Sequence, residues 1–296
     1  MEKEGRIKYG LAVAPEKVSA ALPIALRGEI CDVIRQAKEY GYDGVEIQLR
    51  NPETLDRERV LACCRETGME VCAISTGLEY TMNGLSMIDD DIKKRQEARR
   101  RLFLDVELAA EFGCPVIIGC IRGNIPENGV REIYVERFRE EMQALADKAA
   151  AHGVTIVLEA INFYVNNYLN TVHDTLAFIS SLDRDNVKIH IDTHHMVIEE
   201  KDLVASIMAA GDRIGYVHFA EYNRLYPGAG SIRYMEVMGT LKAIGYRGYA
   251  SLEIVPVPDE ESCAKWGIHY LKQLETVLST PDASVDSEKH RWETLM

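Results

Sequence analysis

The stretch VKIHIDTHH, residues 187–195, decides how this chain is read. Its first half is an apolar, β-branched run that suits a strand buried on both faces, as strands of parallel sheets are. It stops abruptly in an acid and two imidazoles, Asp192, His194 and His195. Three further runs end the same way: IVLEAI (156–161) carries Glu159, IGYVHFAEYNR (214–224) carries His218, and YASLEIV (249–255) carries Glu253. About one strand-plus-helix unit separates each from the next. In a ring of parallel strands the carboxyl ends share one face, and chemistry gathers there. The spacing therefore suggests a single metal site assembled from four successive strands.

The rest of the chain repeats this unit. KYGLAVAP (8–15) reads as a first strand. EICDVIRQAKEYG (29–41) has apolar residues at helical spacing and stops at Gly41, and DGVEIQLR (43–50) is a second strand with Glu46 inside it. A helix from Leu55 to Thr67 stops at Gly68, and EVCAIST (70–76) follows as the third strand. TGLEYTMNGLSM (76–87) reads as a long loop at the rim of a pocket. The spacing predicts a helix over 90–112, whose RQEARRR cluster (95–101) is a solvated face rather than an anion patch. GCPVIIGCIRG (113–123) is the fourth strand, with Arg122 at its carboxyl end. Helices over 131–152, 171–182, 199–210, 231–244 and 259–279 alternate with the four strands already named. Eight alternations without a linker predict one closed (β/α)8 barrel over residues 1–280, followed by a polar tail at 281–296.

Composition narrows the function. With 34 basic and 47 acidic residues the net charge is -13, which repels a phosphodiester backbone, so a nucleic-acid partner is not expected. Seven cysteines, an odd number without a CxxC pair, read as reduced thiols of a cytoplasmic protein. The N-terminus lacks a secretory pattern and no run approaches a membrane span, so no membrane partner is expected either. Three carboxylates and one imidazole form a hard donor set, suited to Mn²⁺ first and to Mg²⁺ or Co²⁺ as alternatives, whereas Zn²⁺ usually takes more nitrogen or sulfur. Alternation along the strand puts His194 on the face of Asp192, but the strand turns into its loop there. Periodicity thus leaves the choice between His194 and His195 open. His190 reads as a polar residue inside the barrel, and His152, His173, His269 and His290 as structural or exposed.

Taken together, these strand ends resemble the xylose-isomerase-like barrel superfamily of sugar isomerases and epimerases, in particular the ketose 3-epimerases and the 5-keto-L-gluconate epimerase group. DTHHMVIEE (192–200) and HFAEYNRLYPGAG (218–230) carry the resemblance most specifically. It implies that Glu159, Asp192, His218 and Glu253 hold one divalent metal ion, and that His195 with Arg224 contacts a sugar substrate. It implies inversion of C3 of a ketose or ketohexonate through a metal-stabilised enediolate, with Glu159 and Glu253 as the acid/base pair and Arg122 near a far-end group. The rival readings are an aldose-ketose isomerase, a lyase on an oxidised sugar or glycoside, and a non-catalytic sugar-binding barrel. Barrel relatives that pair leave a homo-oligomer open. One departure stands out: the family's Asn-Arg-Tyr-Glu after the fifth-strand glutamate is here Asn162, Phe163, Tyr164 and Val165, so a basic residue and a carboxylate are missing.

Overall fold

A computed structural model describes residues 5–279; the tail expected at 281–296, with His290, lies outside them. Eight parallel strands close into a ring: β1 (Lys8–Ala14), β3 (Gly44–Gln48), β4 (Glu70–Ser75), β5 (Val116–Ile118), β6 (Ile156–Glu159), β7 (Val187–Asp192), β8 (Ile214–Phe219) and β9 (Tyr249–Leu252). Pairing of Lys8 with Tyr249 and of Leu11 with Leu252 joins the first strand to the last. A two-residue strand, β2 (Leu26–Arg27), extends the carboxyl end of β1. The barrel predicted from the sequence is the fold observed.

The helices α1 (Ile30–Tyr40), α2 (Arg57–Thr67), α4 (Ile92–Phe112), α5 (Arg131–Ala151), α6 (Val172–Ser180), α9 (Tyr234–Ala243) and α10 (Glu260–Ser279) stand where the 3.6-residue pattern placed them. Gly41 and Gly68 end α1 and α2 in left-handed conformations, with φ of +97° and +68°, which a side chain would resist. The arginines of α4 meet acids in solvent: Arg99 pairs with Glu141, Arg100 with Glu53 and Glu97, and Arg101 with Glu97. The cluster is a paired, solvated face.

Three local readings change. Residues 77–83, expected as loop, form a helix, α3 (Gly77–Asn83), which buries Leu78 and Glu79 and ends at left-handed Gly84. Glycines at both its boundaries masked so short a helix. The helix expected over 199–210 starts four residues later, as α8 (Leu203–Ala210), and a helix that was not expected, α7 (Thr193–Glu199), begins directly at the end of β7. The fourth strand covers only 116–118, and Arg122 lies in a 3-10 turn beyond it.

Packing behind the strands is apolar and continuous, from Ile7 to Leu271. A second, smaller cluster of Cys72, Ala73, Ile117, Val157 and Tyr216 fills part of the barrel interior. One polar feature interrupts the burial. Glu79 of α3 and Asp105 of α4 are both buried, and none of their four carboxyl oxygens meets a hydrogen-bond donor. Burial, then the neighbouring Asp105, pushes Glu79 up to about 9, and burial pushes Asp105 up to about 8. Burial thus favours the protonated form of both, against the opposing charge of Arg101.

Candidate active site and metal centre

The mouth of the barrel gathers side chains from β3, β6, β7, β8 and the segment after β9. Pairing slips by one residue between Val45 and Glu46 and again between Ile189 and His190. Such irregularities re-aim the side chains that follow. Asp192 ends β7 and caps α7: one oxygen accepts from the backbone N–H of His194 at 2.7 Å. Its other oxygen receives Nη1 of Arg224 at 2.5 Å, and Glu253 receives the same nitrogen at 2.8 Å. Because residue 193 already starts a helix, strand alternation does not apply to the two histidines. His195 turns inward and is buried, whereas His194 is half-buried and faces the carbonyl of Glu221 at 3.3 Å.

His195 is held at both nitrogens. Nε2 lies 3.0 Å from Nη2 of Arg224 and 3.5 Å from Glu159, and Nδ1 lies 2.7 Å from the side-chain amide of Asn162. Both ring nitrogens thus face nitrogen donors, and a neutral imidazole can accept from only one of them. Arg224 itself has φ of +61°, a strained conformation for a residue with a side chain, of the kind that clusters at functional sites. His218 bonds Glu46 through Nε2 at 2.6 Å. Its Nδ1 is buried, has no hydrogen-bond partner, and lies 3.7 Å from Asp192 and 3.6 Å from Glu253.

The charges divide by their neighbours. Burial, then the charge of Glu253, pushes Glu159 up to about 8. Burial also raises Glu253, with Arg224 opposing. Asp192 is buried as well, but Arg224, His195 and His218 hold it well below the usual carboxylate range. Burial works against charge on His218, yet the charges of Glu46 and Glu253 outweigh it and raise the ring well above the usual imidazole range. His190, buried against His218 at a centroid distance of 4.2 Å, is held neutral by burial, and neither ring nitrogen has a partner.

The donor set fits a divalent cation. Four buried or nearly buried carboxylates, Glu46, Glu159, Asp192 and Glu253, face one guanidinium, and a buried carboxylate without a counter-charge is costly. One ligand atom each of Glu159, Asp192 and His195 lies within 4.8 Å of the others. The same holds for Glu159, His190 and His218, and for Glu46, His218 and Glu253. Each trio joins two of the four residues read from the sequence as metal ligands to a third outside that set, His195, His190 or Glu46, with Arg224 beside them. Two members were not singled out from the sequence. Glu46 reaches His218 across the ring, and Gln48 donates to Glu46 at 3.1 Å and to Glu253 at 3.0 Å. The signal was present, since both are polar and two apart near the end of an apolar strand.

Arg122 is elsewhere. Its guanidinium is fully buried, donating to the carbonyl of Glu159 at 2.6 Å and to Asn166 at 3.0 Å, with the ring of Tyr168 at 5.3 Å. It lies behind the wall of the cavity and ties β5 to the segment after β6, rather than facing a substrate's far end. The glycines of PGAG also serve the fold. Glu221 accepts from the N–H of Gly228 and of Ile232 at 3.1 Å each, so the Gly228 amide is not offered to an anion. Gly119 has a steric role, because a Cβ there would lie 2.5 Å from a carboxyl oxygen of Glu159.

Comparison with known proteins agrees with this geometry. The model of the xylose isomerase-like TIM barrel family matches residues 34–274. The chain belongs to that family. It is 36% identical over 222 residues to an L-ribulose 3-epimerase of Methylomonas sp. (strain DH-1), covering 74% of this chain and 76% of that one. A ketose 3-epimerase of Arthrobacter globiformis is 31% identical over 217 residues, 73% of this chain and 74% of the other. Among solved structures, the D-allulose 3-epimerase from Methylomonas sp. in complex with D-allulose superposes with a TM-score of 0.77 at 28% identity, covering 91% of this chain and 97% of that one. By this kinship the protein is an enzyme of the isomerase and epimerase kind. No described helix is long and apolar enough to cross a membrane.

Proposed function

We propose that the protein is a divalent-metal-dependent epimerase that inverts C3 of a ketose, with Glu159 and Glu253 as its acid/base pair. The observation that carries this reading is the convergence of two buried carboxyl groups from β6 and from the end of β9 on a site that also holds Asp192, His218 and Arg224. Glu159, Asp192, His218 and Glu253 would hold the ion, for which the hard oxygen set favours Mn²⁺, with Mg²⁺ or Co²⁺ as alternatives. When bound, such an ion supplies Lewis-acid stabilisation of the negative charge that develops when a carbon beside a ketone loses its proton.

The chain's own groups perform the proton transfers. One glutamate takes the C3 proton from one face and the other returns a proton from the opposite face; their roles exchange with direction. Arg224 offsets the crowding of carboxylates, so both glutamates can stand close together without expelling each other. His195, held at Nδ1 by the side-chain amide nitrogen of Asn162, presents its Nε2 edge and the Arg224 guanidinium to the oxygens at C1 and C2. Gln48 keeps the Glu253 carboxyl oriented from behind. Seven unpaired cysteines support a reducing, cytoplasmic setting.

Incubation of the Mn²⁺-loaded protein with free ketopentoses and ketohexoses in D₂O tests the proposal. The expected product is the C3 epimer carrying one solvent deuterium at C3. Deuterium at C1 or C2 with an aldose product would instead make the enzyme an isomerase.

A further inference from the structure

The cavity over the glutamates, about 320 Å³, has two unlike walls. The wall from β6 to β9 carries Glu159, His195, His218, Arg224 and Glu253. The rest of the lining, from the loop after β1, α3 and β5, is closed by Leu22, Pro23, Leu78 and Ile117, with Val165 of the segment after β6 and Val255 completing it. Few polar groups interrupt it. The Thr81 hydroxyl already bonds the carbonyl of Gly77, and the Gln48 amide nitrogen already bonds Glu46 and Glu253. Ser75 is the remaining hydroxyl in that half. Arg224 is the one arginine or lysine lining the cavity, and Nη1 and Nη2 are both committed to the site. Arg122, the other arginine nearby, is sealed behind the wall.

We infer that the preferred substrate is a terminally deoxygenated ketose, whose methyl end lies against Leu22, Leu78 and Val165 while its carbonyl end meets the glutamates. This rests on the epimerase reading above and names its substrate class. A terminal CH₂OH placed against Leu22, Leu78 and Val165 finds no hydrogen-bond partner on those side chains, and a polar group held there unpaired is disfavoured. A methyl removes apolar surface from water at the same place. A terminal phosphate or carboxylate would face no cation at all.

The test compares a ketohexose, its 6-deoxy counterpart and its 6-phosphate on the Mn²⁺-loaded protein. The expected kcat/KM favours the 6-deoxy sugar over the parent by on the order of tenfold to a hundredfold, with the phosphate near background. V165E, which adds an acceptor to the wall, is expected to narrow that ratio by raising the parent's kcat/KM, whereas V165A leaves the order of preference intact. Equal or better use of the parent by the unaltered protein overturns the inference. If none of the sugars turns over, the epimerase reading fails separately. Calorimetric binding of the parent and 6-deoxy sugars then still decides the wall: tighter binding of the 6-deoxy sugar upholds it, and equal binding refutes it.

Discussion

Two places in this molecule bury carboxyl groups side by side, and they come out differently. At the barrel mouth Glu46, Glu159, Asp192 and Glu253 gather about Arg224, which pairs with Asp192 and Glu253, and His218, which pairs with Glu46. Between α3 and α4, Glu79 and Asp105 face each other with no donor on any oxygen. Burial raises a carboxyl in both places. Only at the mouth do fixed cations pull one of them, Asp192, back below its ordinary range. The first cluster can hold charge and so can hold a metal ion; the second keeps its protons and behaves as a polar plug in an apolar wall. Burial alone does not make a carboxylate site: the counter-charge decides.

The largest effect expected from this contrast is on turnover. Glu253→Gln and Glu159→Gln are expected to lower kcat by about 10² to 10⁴-fold while leaving the melting temperature near that of the unaltered protein. Glu79→Gln should leave kcat unchanged. Equal losses from all three would erase the distinction. Removal of divalent ions with a chelator comes next. The melting temperature should fall, and Mn²⁺ at a hundredfold over its dissociation constant should restore about 2.7 kcal/mol of stability. Asp192→Ala should abolish that restoration, as read by calorimetry with and without Mn²⁺.

The pH dependence of stability separates the two clusters by sign. Glu79 and Asp105 have folded-state values raised above those of the unfolded chain. Their contribution is fully present below the ordinary carboxyl range and is lost as pH rises toward about 8 and about 9. Folding then takes up protons, so the pair's contribution falls as pH rises across that window. Urea unfolding from pH 6 to pH 9 should show the decline, and Glu79→Gln should flatten it. An unchanged slope in that variant would assign the alkaline loss to another group. The smallest effect is expected at Asn162→Ala, which frees the His195 ring to change its proton. A loss of about tenfold in kcat, with a displaced pH-rate profile, would distinguish positioning from packing.

Much of this was legible in the chain because the fold writes its strands as largely apolar runs, and each candidate acid or histidine lies at or near the carboxyl end of one. Glu159, Asp192, His218 and Glu253 are visible on those grounds. What was hidden depends on contacts that no period records. Glu46 sits in plain view on β3, but its bond to His218 exists only because the ring closes. Arg122 ends an apolar run just as the ligands do, yet a 3-10 turn carries its guanidinium behind the wall toward backbone carbonyls. The choice of His195 over His194 turns on a helix that starts one residue after Asp192, where the alternation of a strand no longer holds. Gly77 and Gly84 concealed α3, and with it the apolar contact of Leu78.

Asp192 belongs to two structures at once, and this has a mechanical consequence. One of its oxygens anchors the first turn of α7, and the other faces the centre of the mouth. Whatever tugs on the inner oxygen also tugs on the hinge from which His195 hangs. The His194 amide, the tether between the two, should therefore exchange its hydrogen with solvent at a rate that reports filling of the centre, before any sugar has arrived.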